Sequence, residues 1–279
     1  MQKAFGKKSV IFMFLFPAFL IYTAFVIVSI VWAGYYSFFD WSGVGEKVFV
    51  GFKNYSNLFH NAVFLKSLQN VLIYVVVSVI LQVPIGFGLG LLIHHFKKGQ
   101  RFFKAAFFIP MILSVTAVAL LRNFIYFPTD KGILNSLLIK IGLGNYIQQW
   151  LVNPKTSLIC LIVVSTWTSV GYYMIICLAG LTSIPDSVLE AGELDGATGW
   201  KKIWNLYIPM LWEPLKMSTI MVITGVLKIF DTVYILTPTG GTSNCTIVPA
   251  LLMYNEAYRY GHYGTGSAIA TVLSLIHIS

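Results

Sequence analysis

The sequence predicts an all-α membrane protein with about six transmembrane helices. Hydrophobic residues make up 57% of the 279 residues, charged residues make up 10%, and the mean hydropathy is +0.77. A soluble domain carries about 25% charged residues, so this chain lacks the polar surface that a globule of its size needs. The composition excludes a cytosolic enzyme and a disordered chain. Basic residues at the ends of spans explain the net charge of +9 without a nucleic-acid partner.

Long apolar runs define the spans, because a helix that crosses a bilayer core of about 30 Å needs roughly 20 apolar residues. The predicted spans are about 10–34, 70–93, 105–127, 157–180, 214–236 and 264 onward. The first run is longer than the roughly 7–15 apolar residues of a secretory signal, so we expect it to stay in the membrane. From Gly264 only 16 residues remain, about 24 Å of helix, so we expect the last helix to be truncated.

Basic flanks give the orientation of the spans. Lys3, Lys7 and Lys8 precede the first span, and residues 94–104 pack four cations into the loop after the second. Short loops rich in Lys and Arg remain in the cytoplasm. The N-terminus and residues 181–213 are therefore predicted to be cytoplasmic.

The segment from Ile184 to Pro209 is predicted to form a compact acidic protrusion. Pro185 suits a first helical turn, because its missing N–H has no helical partner there. Small residues then follow, and we expect the helix to break near Gly196 and a second helix, Trp200 to Tyr207, to end before Pro209. From the residues alone, a docking surface and an ordinary loop are both open.

Several motifs in this segment and elsewhere resemble those of ABC importer permeases of the sugar branch, similar to maltose- and glycerol-3-phosphate-type permeases. The family's EAA loop is matched by Glu190, Ala191, Gly192, Asp195, Gly196 and Ala197, with Pro209 downstream. Further matches are Phe49 to Tyr55, Phe107 to Pro110, Gly132 to Asn135, Ala179 to Leu181, Phe230 to Thr237 and Glu256 to Arg259. Two positions depart from the pattern: Gly192 stands where the family has Ala, and Pro238-Thr239 interrupt a glycine-rich stretch.

The resemblance implies a type I permease in the bacterial plasma membrane, with a transmembrane helix and outer loop at 1–66 and a permease core at 67–279. It implies that the six EAA-loop residues contact a separate ATPase subunit, and that the partners are ATPases, a second permease of different sequence and an external solute-binding protein. The solute would be a sugar or related carbohydrate. Gly6-Lys7 is followed by Lys8 and lacks the frame of a phosphate-binding loop. The chain is therefore predicted not to be an enzyme, with ATP and Mg²⁺ on the partner.

Lys228 and Asp231, three residues apart, are the two charged residues between Met217 and Leu236 in the fifth predicted span. A charge in the bilayer centre costs about 2.5–3.5 kcal/mol on insertion scales and marks a candidate functional site. One interpretation is a polar lining of the solute pathway. The other is an internal ion pair that lowers its own insertion cost.

Other features carry less information about function. Gly86 and Gly90 form a small-residue pair typical of a helix-packing face, and Trp167, Tyr172 and Tyr173 are candidates for lining a cavity. The cysteine and histidine spacings predict no metal site. The alternative to an ATP-driven importer is an ion-coupled secondary transporter of a small polar solute. That class shows internal repeats and a midplane ion site, and no internal repeat is evident in this sequence.

Overall fold

The structure is a computed structural model that describes residues 8–96 and 99–278. Its helices and strands are α1 (Lys8–Tyr22), α2 (Val28–Tyr36), β1 (Phe39–Asp40), β2 (Val48–Phe49), α3 (Lys53–His60), α4 (Ala62–His95), α5 (Gln100–Ile112), α6 (Val115–Ile125), α7 (Ile133–Lys140), α8 (Ser157–Thr182), α9 (Asp186–Leu194), α10 (Trp200–Lys202), α11 (Ile208–Met210), α12 (Trp212–Leu227), α13 (Asp231–Leu236), α14 (Pro249–Tyr254) and α15 (Tyr263–Ile278). Turns of π-helix at Thr23–Ile27, Ile203–Tyr207 and Asn255–Arg259 continue α1, α10 and α14. Lys3, Lys7, Lys97 and Lys98, on which the predicted orientation depends, lie outside the described residues.

Three continuous helices are long and apolar enough to cross a membrane, and they confirm the first, second and fourth predicted spans. They cover Ile11–Tyr36, Ala62–His95 and Ser157–Thr182. The sixth predicted span is a shorter apolar helix, Tyr263–Ile276. The fold is therefore that of a helical membrane protein.

The third predicted span, 105–127, is wrong as a single helix. It is a bent pair, α5 and α6, whose axes differ by 97°. Pro110 lies in the last turn of α5 and has no N–H for the helical ladder, and Leu113 is extended. The hydroxyl of Ser114 then accepts a hydrogen bond from the backbone N–H of Ala117 at 3.2 Å and caps a new helix.

The fifth predicted span, 214–236, is also not one helix. Helix α12 ends at Leu227, and α13 begins at Asp231. At the other end, α12 forms a pair bent by 72° with the helix Trp200–Met210. The apolar run that predicted one span therefore forms two helices, and the chain is not helical at 228–230.

The chain forms two compact units: a terminal unit of residues 1–65 and 249–279, and a central unit of residues 66–248. In the terminal unit, the antiparallel strands β1 and β2 pair Phe39 with Phe49. The side-chain amide of Asn54 donates to the carbonyl oxygens of Ser37 at 2.8 Å and Phe39 at 2.9 Å. Gly264 lets α15 approach this turn closely, since a Cβ there would lie 1.9 Å from the carbonyl oxygen of Phe39.

In the central unit, α4 packs tightly against α8 through its small residues. A Cβ at Gly86 would lie 2.8 Å from the Cβ of Tyr173, and one at Gly90 would lie 3.2 Å from the Cβ of Cys177. The predicted helix-packing role of Gly86 and Gly90 is confirmed. On the other side of α8, Gly171 admits the backbone of α5, because a Cβ there would lie 1.9 Å from the carbonyl oxygen of Phe107.

Candidate functional site

The acidic segment forms a helical hairpin, residues 185–210, as its sequence predicts. Pro185 precedes α9 with extended backbone, so it lies one residue outside the helix rather than in its first turn. Asp186 occupies the first turn, where a carboxylate interacts favourably with the helix dipole. The break falls at Asp195 and Gly196, where it was predicted.

Gly196 ends α9 in a left-handed conformation with φ of +79°. Its N–H donates to the carbonyl oxygen of Glu193 at 3.0 Å, and the N–H of Ala197 donates to that of Gly192 at 2.9 Å. These two bonds form a Schellman motif, which satisfies carbonyl groups that a helix end leaves unpaired. The turn is therefore a defined structure rather than a flexible loop.

The two helices of the hairpin approach closely at Gly192. A Cβ at Gly192 would lie 3.2 Å from Cδ2 of Leu206. Gly192 therefore contacts the second helix, whereas Glu190, Ala191, Asp195 and Gly196 are exposed, and Ala197 is half-buried. An Ala at this position would require the Leu206 side chain to shift by a few tenths of an ångström, so Gly fits with less rearrangement.

A salt bridge and an apolar cluster hold the hairpin in place. The ammonium of Lys202 donates to Oε1 of Glu193 at 2.6 Å, and this hydrogen bond lowers the pKa of the Glu193 carboxyl below its ordinary value. Beneath it, Leu181 and Ile184 pack against Tyr207 and Leu211. The protrusion is thus anchored to the end of span helix α8.

The second hairpin helix continues past Pro209, so the predicted end before this residue is wrong. The π turn Ile203–Tyr207 leads directly into α11, which contains Pro209. The sequence analysis also missed Leu194, an apolar side chain that is 90% exposed at the tip of the hairpin.

Three adjoining cavities lie in the central unit among α5, α6, α8, α12 and α13. The largest, about 360 Å³, is lined by Tyr172, Tyr173, Thr224 and Lys228 among others. The others, about 210 and 160 Å³, share Thr168, Ser169 and Thr232. Tyr172 and Tyr173, two of the three candidates for lining a cavity, do line one. Trp167 lines none of these three cavities, within the part of the chain that the structure describes.

Lys228 and Asp231 do not form an ion pair among the described residues. The helix breaks between them: Lys228 caps the C-terminus of α12, and Asp231 begins α13. Each charge therefore has the sign that its helix end favours. Lys228 lines the largest cavity, while Asp231 is exposed and lines none of the three in the described part of the chain.

Arg122 is a residue that the sequence analysis missed. It is 2% exposed, and its Nε and Nη1 have no hydrogen-bond partner among the described residues. A buried charge without partners is expensive, and Arg122 lines the 160 Å³ cavity beside Thr168, Ser169 and Thr232. In the sequence, Arg122 is the one charged residue between Ala105 and Phe127. That isolation was the signal for a candidate functional residue.

The chain is similar over most of its length to permease proteins. Residues 82–279 match the family described as binding-protein-dependent transport system inner membrane component. A probable ABC transporter permease protein of Bacillus subtilis, YurN, is 36% identical over 98% of this chain and 94% of its own length. The lactose transport system permease protein LacF of Rhizobium radiobacter is 32% identical, with 89% of this chain and 83% of that protein covered.

A solved structure has the same fold. It is a bacterial alginate ABC transporter in complex with an alginate pentasaccharide-bound periplasmic protein, and one of its chains superimposes with a TM-score of 0.85 at 20% identity. The match covers 100% of this chain and 93% of that one. This likeness shows that the two chains share one fold, and the family match is what identifies an inner membrane component.

Proposed function

Because the chain belongs to the family of inner membrane components of binding-protein-dependent transport systems, we propose that it translocates a sugar or related carbohydrate as the permease subunit of a bacterial ATP-driven importer. The single observation that carries the substrate class is the relationship to a lactose permease along 89% of this chain. Hydroxyl and phenol groups around the three cavities support it, since they suit hydrogen bonding to a polyhydroxylated solute.

The hairpin is the proposed contact with a separate ATPase subunit. Of the six EAA-loop residues, Glu190, Ala191, Asp195 and Gly196 offer an exposed surface, and Ala197 borders it. Gly192 acts from within, by allowing the second helix to approach. Leu194 adds an exposed apolar side chain of the kind that anchors a protein interface. Because the hairpin is fixed to α8, movement of the ATPase would be transmitted to a spanning helix.

The three cavities are the proposed solute pathway. Lys228 contributes a cation to the largest cavity, and Arg122 contributes its guanidinium to the wall of the smallest. Tyr172 and Tyr173 offer ring faces and hydroxyl groups. Asp231 stays a predicted pathway residue without structural support. It is exposed and lines none of the three cavities in the described part of the chain.

The partners follow from this proposal: ATPase subunits that hold ATP and Mg²⁺, a second permease and an external solute-binding protein. The test is uptake into proteoliposomes that contain the complex purified with its native subunits. We expect radiolabelled sugar to enter only with internal ATP and added binding protein, and ionophores to leave the rate unchanged. Uptake driven by an ion gradient without ATP would establish the secondary transporter instead.

A further inference from the structure

An open groove of about 570 Å³ lies in the central unit between the end of α4 and the second hairpin helix. We call it the α4–α10 groove. Its lining residues are Gly88, Leu91, Leu92, His95, Phe96, Gly199, Trp200, Lys202, Ile203 and Tyr207. It is separate from the three cavities, since it shares no lining residue with them in the described part of the chain.

The polarity of the groove changes along the axis of α4. Gly88 and Leu91 lie within the charge-free span, and His95 is its last helical residue. At 1.5 Å per residue, Gly88 and His95 are separated by about 10 Å, which exceeds the headgroup layer of one leaflet, about 5–7 Å. The groove therefore extends from the hydrocarbon region to the headgroup region.

The shallow end of the groove carries a lysine, a histidine and a tryptophan. His95 and Lys202 line it, and Lys202 uses one of its three N–H donors on Glu193. Trp200 is 76% exposed and Trp204 on the same helix is 65% exposed. Exposed tryptophans are enriched at the depth of the headgroups, so Trp200 and Trp204 favour a position of this helix at the membrane surface.

We propose that the α4–α10 groove binds an anionic phospholipid, with an acyl chain along Gly88 and Leu91 and the phosphate between His95 and Lys202. The apolar end at Gly88 and Leu91 matches the acyl chain of a phospholipid, and the end at His95 and Lys202 matches its phosphate. Lys201, adjacent in the chain, adds to the positive potential that attracts anionic headgroups. The bound lipid bridges span helix α4 and the hairpin, so it braces the proposed ATPase contact.

Two variants test the two ends of the groove. Gly88→Leu fills the apolar end, and it is compatible with folding because a Cβ at Gly88 has no described heavy atom within 4 Å. Gly34→Leu is its control, since Gly34 also lies in a span helix with the same open space among described atoms. Lys202→Gln removes a cation from the shallow end. Lys216→Gln is its control, because Lys216 likewise pairs with a glutamate, Glu213, at 2.8 Å.

The chain is purified with its accompanying subunits, placed in nanodiscs of phosphatidylcholine with or without phosphatidylglycerol, and analysed for retained lipid by native mass spectrometry. The wild type is expected to retain phosphatidylglycerol in preference to phosphatidylcholine. Gly88→Leu is expected to retain one molecule fewer. Lys202→Gln is expected to bind it about fivefold more weakly, the equivalent of about 1 kcal/mol per surface cation. Both controls should match the wild type.

Three results would overturn the proposal. The first is equal retention of the two lipids by the wild type, and the second is unchanged retention in Gly88→Leu. The third is loss of an accompanying protein subunit from Gly88→Leu while its lipid is unchanged, which would identify the groove as a protein contact. None of these results bears on the sugar importer proposal, which is tested by uptake.

Discussion

Replacing Gly196 with tryptophan is the sharpest perturbation of the hairpin. Gly196 has φ of +79°, and a Cβ on it would meet no heavy atom within 4 Å among the described residues. Within this chain the substitution therefore causes backbone strain but no clash at the Cβ. For a residue other than glycine, a left-handed conformation costs roughly 1–2 kcal/mol.

The expected effect on the ATPase contact is larger than this strain. A bulky ring at the tip of a docking surface displaces a packed interface, and disruption of a central contact costs about 2 kcal/mol or more, equivalent to roughly 30-fold weaker binding. We expect Gly196→Trp to insert into the membrane normally and to lose both sugar uptake and the stimulation of ATP hydrolysis by loaded binding protein.

Gly142→Trp is the matched control for strain. Gly142 has φ of +83° and equally open space among the described residues, but it follows α7, away from the hairpin in sequence. Both variants are assayed in proteoliposomes for ATP hydrolysis and uptake. Wild-type uptake in Gly196→Trp would refute the docking assignment, and an equal loss in Gly142→Trp would attribute the effect to strain.

Three further predictions concern packing, the pathway and pH. Gly86→Ala should lower the melting temperature of the purified complex, because its Cβ would lie 2.8 Å from a side chain and 3.1 Å from backbone, whereas Gly88→Ala should not; equal melting temperatures would contradict the packing. Arg122→Gln and Lys228→Met should each reduce uptake at least about tenfold, the equivalent of about 1.4 kcal/mol, while basal ATP hydrolysis is retained; unchanged uptake would remove that residue from the pathway. Since the pKa of Glu193 is lowered, its salt bridge stabilises the hairpin above the ordinary carboxyl pKa of about 4.3 and is lost as pH falls through the lowered value. Glu193→Gln should therefore reduce hydrogen-exchange protection of the hairpin at neutral pH, and its difference from the wild type should disappear only below the lowered pKa of Glu193. A difference that persists once this carboxyl is protonated would contradict this.

Hydropathy predicted which segments form long apolar helices but not where those helices break. Pro110 is visible in the sequence, but the 97° bend depends on an extended Leu113 and on the cap that Ser114 provides. Lys228 and Asp231 were read as neighbours on one helix, and their charges instead complement two separate helix ends. Local backbone conformation, which composition does not encode, decides both cases.

The hairpin was predicted more closely because its signals are local. Gly196 breaks α9 through two short-range hydrogen bonds, and the small Gly192 allows close approach of Leu206. Arg122 was missed for the opposite reason. Its burial beside Thr168 and Ser169 arises from residues more than 40 positions away, so a single charge in an apolar run could not be assigned to a cavity.

Accessibility of the hairpin tip tests the central claim most directly. Ala191 is exposed, and the native cysteines Cys160, Cys177 and Cys245 are buried, so Ala191→Cys gives a single reactive position for a membrane-impermeant maleimide. We predict labelling in inside-out vesicles stripped of the ATPase, protection when the ATPase is added back, and none in intact cells. Labelling of intact cells would place the hairpin outside and contradict the account.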